Sequence, residues 1–204
     1  TDSSAASDVY KRQFQHWRNR NNQSGSKRNI SYHYDLGNQF YSRWLDRTMT
    51  YSSAVFQSET DTLEDAQNRK YQKLAELADI QPGERVLEIG CGWGGFAEYA
   101  AKKYGAHVTG ITISKEQYDF TKNRLRTAGL DHMTDIVMQD YRKLNQRFDK
   151  IVSIEMFEAV GEKYWPVYFK TIANCLKEGG QAALQVITID HKAFLEYRTQ
   201  PDFI

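Results

Sequence analysis

A stretch that reads VLEIGCGWGG, from Val86 to Gly95, limits the possible folds more than any other part of the chain. Its apolar first half predicts a buried strand, because a short apolar run that ends in glycine is typical of a parallel sheet. Gly90 and Gly92 allow the backbone to come close to a ligand, and Gly94 begins a helix. A strand, a glycine loop and a helix in this order predict an α/β fold with a ligand site at the loop.

The chain after residue 85 repeats this alternation of strand and helix. Apolar patterning predicts strands at residues 85–89, 107–113, 135–138, 150–155 and 181–187, and helices at residues 94–104, 115–128 and 165–176. Ser114 is the predicted N-cap of the helix that follows it, with Gln117 in the capping-box position. Repeats of this length predict a doubly wound, mostly parallel sheet with helices on both faces.

The spacing within the glycine loop indicates which ligand it binds. A dinucleotide site has the order G-x-G-x-x-G and cradles a pyrophosphate, whereas Gly90, Gly92 and Gly94 form a tighter loop with less room for phosphate. The tighter loop favours a nucleoside with a short amino-acid tail, which predicts S-adenosylmethionine. Glu88 before the loop and an Asp-Tyr pair at residues 140–141 strengthen this prediction, and glycines that serve only a tight turn are the alternative.

The sequence divides into three predicted regions. Residues 1–28 form a polar arm with six Lys and Arg side chains against two Asp, which predicts disorder. A basic arm can be attracted to anionic lipid, although a solvated tail is the simpler interpretation. Residues 29–80 are rich in aromatic side chains, with helices predicted at residues 39–45 and from Thr62, which begins a capping box. Residues 81–204 form the predicted core.

The composition excludes several classes of protein. The chain has 27 Lys and Arg against 26 Asp and Glu, a net charge of +1. This charge is too small to attract nucleic acid, so the composition argues against a dedicated DNA-binding protein. Cys91 and Cys175 are too far apart for a disulfide framework or zinc-ligand spacing, which predicts a reducing compartment and no metal. No apolar run is long enough for a membrane span, and the first residues lack the apolar core of a signal peptide. These features predict a cytoplasmic protein.

Several segments together resemble the cyclopropane-fatty-acyl-phospholipid synthases and the related mycolic acid cyclopropane synthases. The segments are residues 29–38 (NISYHYDLGN), 49–54 (MTYSSA), 88–95 (EIGCGWGG), 110–114 (GITIS), 139–142 (QDYR) and 153–161 (SIEMFEAVG). The resemblance extends over residues 29–187. It implies a Rossmann-like class I methyltransferase fold, S-adenosylmethionine as methyl donor and an unsaturated fatty acyl phospholipid as acceptor, with a cyclopropane fatty acid as the product.

The resemblance also implies how the chain is placed in the cell and in the fold. Residues 29–80 are expected to cover the cofactor and lipid site, and a lipid acceptor implies transient, peripheral contact with the anionic inner membrane surface. The implied fold has further strands after the fifth, so we expect a core that is truncated after its fifth strand. The open sheet edge favours pairing of two chains, which predicts a homodimer.

The cofactor contacts of the family map onto fourteen positions of this sequence. They are Tyr51, Ser52, Glu88, Gly90, Cys91, Gly92, Trp93, Gly94, Thr112, Ile113, Ser114, Gln117, Asp140 and Tyr141. Gln117 matches the family's ribose partner, and this role competes with the capping-box role because one amide cannot fill both.

The catalytic positions of the family match less completely. In the family a bound bicarbonate acts as the base, and a glutamate, a histidine, a tyrosine and the neighbourhood of a cysteine hold it. Glu158 matches the glutamate, but Ser53 stands where many members have cysteine and Gln185 stands where they have histidine. The family's tyrosine lies in a region that this sequence does not contain. Tyr34 is a candidate for stabilising the carbocation that methyl transfer to an alkene produces.

Three other functions remain open on these observations. The same methyl transfer could end in a methylene or methyl-branched chain, because Gln185 removes a titratable group from the base site. A small-molecule methyltransferase would accept a soluble nucleophile and ignore lipid. A truncated, non-catalytic domain would bind the cofactor without turnover.

Overall fold

The computed structural model of the protein describes residues 37–199, so the predictions for Tyr34 and for the arm at residues 1–28 lie outside the described residues. The helices are α1 (Asn38–Tyr41), α2 (Leu63–Leu77), α3 (Gly95–Tyr104), α4 (Lys115–Thr127), α5 (Trp165–Cys175) and α6 (His191–Thr199). The strands are β1 (Arg85–Ile89), β2 (His107–Thr112), β3 (Thr134–Met138), β4 (Phe148–Ile154) and β5 (Leu176–Gln185). In this range no helix is both long enough and apolar enough to cross a bilayer.

The strands form one parallel sheet in the order β3-β2-β1-β4-β5. The chain moves outward from β1 to β2 and β3, and then crosses to the other side of β1 to form β4. The carboxyl ends of β1 and β4 therefore lie at the point where the winding direction reverses. Doubly wound sheets place their ligands at this point.

Alternating side chains of the strands pack into cores on opposite faces of the sheet. Val86 and Val108 belong to the core under α2, α3 and α4, whereas Leu87 and Ile111 belong to the core under α5. This alternation follows from the two-residue period of a strand. Burial on both faces confirms the predicted doubly wound arrangement.

Two predicted elements differ from the structure by more than two residues at one end. Helix α1 ends at Tyr41 rather than at residue 45, and the chain continues as turns. Strand β5 begins at Leu176, where the end of a helix was expected, and it passes through Gly179 and Gly180. The pairing of β4 with β5 shifts register between Phe148 and Lys150, which is a bulge that the glycine pair accommodates.

The predicted N-caps of α2 and α4 are both present. At α2, the Thr62 hydroxyl accepts a hydrogen bond from the Asp65 N–H, and the Asp65 carboxylate accepts from the Thr62 N–H, so the capping box is confirmed. At α4, the Ser114 hydroxyl accepts from the Gln117 N–H at 3.3 Å. The polar signals at these helix starts are therefore correct.

Candidate functional site

An open cleft lies over the carboxyl ends of β1, β2 and β4. Its floor is the glycine loop after β1, and residues 111–113 and 139–142 follow β2 and β3 to form one side. Residues 154–156, 159 and 160 form another side, and residues 49–52 of the aromatic-rich region form a wall that the sheet does not supply. The cleft is therefore at the position where doubly wound sheets bind ligands.

The glycine loop shapes the floor because its backbone is left-handed. Gly90 and Gly92 have φ values of +81° and +51°, which residues with a side chain rarely adopt. A Cβ atom on Gly90 would lie 2.8 Å from the Met156 Cγ, whereas a Cβ on Gly92 would meet no protein atom within 4 Å. Gly92 therefore leaves its backbone open to the cleft, and Gly90 allows the β4 end to pack against the loop.

Twelve of the fourteen predicted cofactor residues line the cleft, and Gly94 and Ser114 do not. Gly94 is the left-handed N-cap of α3. Ser114 is buried and its hydroxyl is used in capping α4. Both residues stabilise the elements that carry the lining without facing it.

Gln117 lines the cleft instead of completing a capping box. Its Oε1 accepts a hydrogen bond from the Thr112 hydroxyl at 2.8 Å, and both side chains are buried. The capping-box interpretation of Gln117 was therefore wrong, because the amide is turned toward the end of β2. This orientation leaves its nitrogen as a donor at the cleft.

Glu88 contributes a buried carboxylate to the lining, with only 3% of the residue exposed. Burial raises its pKa well above the usual range, although the Ala97 N–H and the charges of Arg124 and Lys70 oppose that rise. In the described part of the chain, its Oε2 has no hydrogen-bond partner. An unpaired buried acceptor fits a ligand with an N–H donor, such as the amino group of S-adenosylmethionine.

Asp140 is held in place by the arginine that follows it by two residues. The Arg142 Nε donates to Asp140 Oδ1 at 2.8 Å and its Nη2 donates to Oδ2 at 2.5 Å. Burial opposes ionisation of Asp140, but these hydrogen bonds outweigh it and lower its pKa. Asp140 and Tyr141 therefore present a fixed polar edge and an aromatic ring to the cleft.

The wall at residues 49–52 is anchored by buried polar side chains of α2. The Gln67 Nε2 donates to the Ser52 carbonyl at 2.8 Å, the Lys70 Nζ donates to the Ser52 hydroxyl at 2.5 Å, and Tyr71 shares a hydrogen bond with Thr50. Lys70 is 1% exposed, and burial lowers its pKa to about 8. Sequence reasoning missed these anchors, because polar residues on a helix indicate a solvated face unless the partner loop is known.

Aromatic side chains close the outer side of the same wall. The Tyr41 ring lies 4.9 Å from the buried Trp93 ring and 5.5 Å from the Tyr51 ring, measured between centroids. The Trp93 Nε1 donates to the Asn38 Oδ1 at 2.6 Å. Helix α1 is thereby fixed over the glycine loop.

The structure brings together Ser53 and Gln185, which are far apart in the sequence. The Gln185 Nε2 donates to the Ser53 hydroxyl at 2.9 Å and to Glu155 Oε1 at 2.8 Å. Ser53 also donates to Glu155 Oε1, through its N–H at 3.0 Å and through its hydroxyl. Glu155 lines the cleft and was missed, although an acid directly after a parallel strand was an available signal.

Glu158 lies outside this cluster. Its side chain is exposed, it is not part of the cleft lining, and its Oε1 accepts a hydrogen bond from the Ile187 N–H. Ile187 is two residues beyond Gln185, so Glu158 fixes the chain that follows β5. Neither Ser53 nor Gln185 is itself part of the lining, and both reach it through Glu155.

Comparison with known proteins gives consistent results. A model of the mycolic acid cyclopropane synthetase family matches residues 21–204. A probable fatty acid methyltransferase of Pseudomonas putida is 43% identical over 164 residues, which are 79% of this chain and 42% of that protein. The cyclopropane-fatty-acyl-phospholipid synthase of Escherichia coli K12 is 47% identical over 155 residues, 76% of this chain and 39% of that protein. The chain thus spans about two fifths of the length of these relatives.

The fold is also that of a solved relative. A crystal structure of the mycolic acid cyclopropane synthase CmaA1, complexed with SAH and CTAB, superposes with a TM-score of 0.78 at 30% identity. The match covers 86% of this chain and 61% of that chain. Together with the parallel strand order, it confirms the Rossmann-like class I methyltransferase fold. Because the family model spans the glycine loop, the cleft walls and the Ser53, Glu155 and Gln185 cluster, the chain belongs to the mycolic acid cyclopropane synthetase family.

Proposed function

We propose that this chain is the methyl-transferring core of an enzyme that uses S-adenosylmethionine to methylate the double bond of an unsaturated fatty acyl phospholipid. The observation that carries the proposal is the cleft, with an open glycine loop at one end and a hydrogen-bonded acid at the other. Family membership and the similarity to fatty acid methyltransferases and cyclopropane synthases support it. Bound S-adenosylmethionine would supply the methyl group.

Each residue proposed for cofactor binding contacts a different part of S-adenosylmethionine. The Gly92 backbone admits the amino-acid tail, the Glu88 Oε2 accepts from its amino group, and the Gln117 amide faces the ribose. Asp140 and Tyr141 contact the adenine ring of the cofactor. These roles follow from the free donors and acceptors of the lining and from the residues implied by the family resemblance.

The apolar part of the lining is proposed to receive the acyl chain. Ile154, Met156, Ala159 and Val160 lie at and after the end of β4 and line the cleft. An alkene is a weak nucleophile, so methyl transfer needs close alignment with the sulfonium and exclusion of water. Apolar side chains provide both, while Tyr34 stays a prediction for support of the cation.

We propose a cyclopropane as the leading product, with a methylene or methyl-branched chain as the second candidate. The second candidate is favoured by Gln185 and Ser53, which occupy the family's histidine and cysteine positions and are hydrogen-bonded to Glu155. This arrangement changes the groups available to hold bicarbonate. Contact with an anionic membrane surface, a cytoplasmic location and a homodimer belong to the same proposal.

The proposal is tested by incubating the protein with labelled S-adenosylmethionine and vesicles of unsaturated phospholipid. We expect label in the acyl chains, and NMR of the released fatty acids separates a ring from a methylene isomer of equal mass. Label that enters only a soluble nucleophile would favour a small-molecule methyltransferase. Cofactor binding with no transfer to any acceptor would favour a non-catalytic domain.

A further inference from the structure

We infer that the Glu155 carboxylate is the base that removes the proton after methyl transfer, in the role that the family resemblance gives to bicarbonate. The inference rests on the proposed function and adds a catalytic residue to it. Glu155 follows β4 directly and lines the cleft between the glycine loop and the apolar residues proposed for the acyl chain. A carboxylate at this position lines the same cleft as the glycine loop and these apolar residues.

The backbone of Glu155 is held in an unfavourable conformation. Its φ of +45° is in the left-handed region. A residue with a side chain pays a conformational free energy there that glycine does not. Met156 on its carboxyl side packs against Gly90 of the cofactor loop, and the Glu155 N–H donates to the Gln185 carbonyl at 2.9 Å. The surrounding contacts therefore fix a strained acid in the cleft, a feature that is concentrated at functional sites.

The hydrogen bonds of Glu155 orient one oxygen and spare the other. Ser53 and Gln185 donate three hydrogen bonds, all of them to Oε1. Within residues 37–199, Oε2 accepts no hydrogen bond from the protein. Donors that hold a carboxylate by one oxygen leave the second oxygen available for a proton.

Charge balance in the cleft also suits a carboxylate at this position. The buried Lys70 ammonium interacts with Glu155 electrostatically, and Lys70 forms no ion pair within 4.0 Å among the described residues. The Glu155 carboxylate and the Lys70 ammonium therefore balance each other in charge without direct contact. Gln185 and Ser53 are neutral donors, so they orient this charge without cancelling it.

The proposed step balances in atoms and electrons. The alkene π electrons form the bond to the methyl carbon, and the breaking carbon–sulfur bond leaves its pair on sulfur, which yields S-adenosylhomocysteine and an acyl carbocation. Glu155 Oε2 then takes one proton from the added methyl group. The electron pair of that C–H bond closes the cyclopropane, or forms the exocyclic double bond of a methylene chain if a hydride shift has moved the cation. Glu155 later passes its proton to water.

The test compares Glu155→Gln with wild type on vesicles of unsaturated phospholipid, with cofactor affinity measured by calorimetry. We expect the Kd for S-adenosylmethionine to stay within about threefold, while methylated lipid formed per enzyme falls roughly 10²–10⁴-fold. Glu178→Gln on β5 is the matched control and retains wild-type turnover. Wild type is also expected to have equal turnover in decarbonated buffer and in buffer with added bicarbonate.

A second variant guards against a folding defect. Glu155→Gly suits the left-handed backbone, so it is expected to melt at or above the wild-type temperature and still lose turnover. Wild-type turnover in either Glu155 variant, or a wild-type enzyme that needs bicarbonate, would overturn the role of Glu155 and leave the proposed function intact. Absence of methylated lipid with the wild type would overturn the proposed function, and the role of Glu155 with it.

Discussion

The two ends of the cleft are built differently. At the glycine-loop end the residues are neighbours in the sequence, whereas at the β4–β5 end they come from distant parts of the chain. The loop end is a continuous segment, residues 88–95, whose shape depends on its own backbone angles. The β4–β5 end joins Ser53, Glu155 and Gln185, and its hydrogen bonds span 102 and 132 residues. The floor of the cleft is therefore a local property of one motif, whereas the proposed proton-accepting site depends on the whole fold.

The largest effect is expected from a change in the local end. Gly92→Val places a branched side chain in the open floor of the cleft and on a left-handed backbone. We expect the Kd for S-adenosylmethionine to rise more than about 100-fold, equivalent to about 2.7 kcal/mol. Calorimetry measures this change, and micromolar affinity in a folded Gly92→Val protein would contradict the assignment of the loop.

A smaller loss is expected from Glu158→Gln at the other end. The amide oxygen can still accept from the Ile187 N–H, but the charge-assisted hydrogen bond that anchors the chain after Gln185 becomes a weaker neutral one. We expect turnover to fall about tenfold, equivalent to about 1.4 kcal/mol, with unchanged cofactor affinity. A loss as large as that of Glu155→Gln would instead indicate that Glu158 holds the base, as the family's bicarbonate route requires.

Lys70→Met tests whether the buried Lys70 ammonium lowers the free energy of unfolding while it supports cofactor binding. The ordinary lysine pKa is 10.5, and the folded value of about 8 means that the unfolded chain binds more protons between these pH values. Wild-type stability should therefore rise with pH over this window, by up to about 3 kcal/mol.

The methionine variant lacks that titration, and so it should melt above wild type at pH 7 with a difference that shrinks by pH 10. It should also bind S-adenosylmethionine several-fold more weakly, because the Ser52 hydroxyl loses its donor. Thermal melts at the two pH values and calorimetry measure both effects. A lower melting temperature at pH 7 would show that Lys70 stabilises the fold.

The smallest effect is expected at the cap of α4. Ser114→Ala removes the acceptor for the Gln117 N–H and should cost about 1 kcal/mol of unfolding free energy. Urea denaturation measures the change, and an unaltered midpoint would count against the cap. Ser114 does not line the cleft, so the affinity for S-adenosylmethionine should change far less than in Gly92→Val.

The same contrast explains what the sequence could predict. The alternation of strands and helices and the cleft floor follow from apolar periodicity and glycine spacing, which are local signals. The anchoring of the wall by Gln67, Lys70 and Tyr71 could not be predicted, because buried polar groups on a helix are recognised only with their partners in place. The start of β5 was missed because Gly179 and Gly180 indicate a break in a strand rather than a bulge.

The three-way contact of Ser53, Glu155 and Gln185 limits how this part of the cleft can change during evolution. Each side chain hydrogen-bonds to the other two, so replacing one of them removes the contacts that it makes with both neighbours. Substitutions at these positions should therefore be strongly non-additive. A lineage that exchanges this cluster for a histidine and a cysteine has to pass through less fit single mutants, or change several positions nearly together.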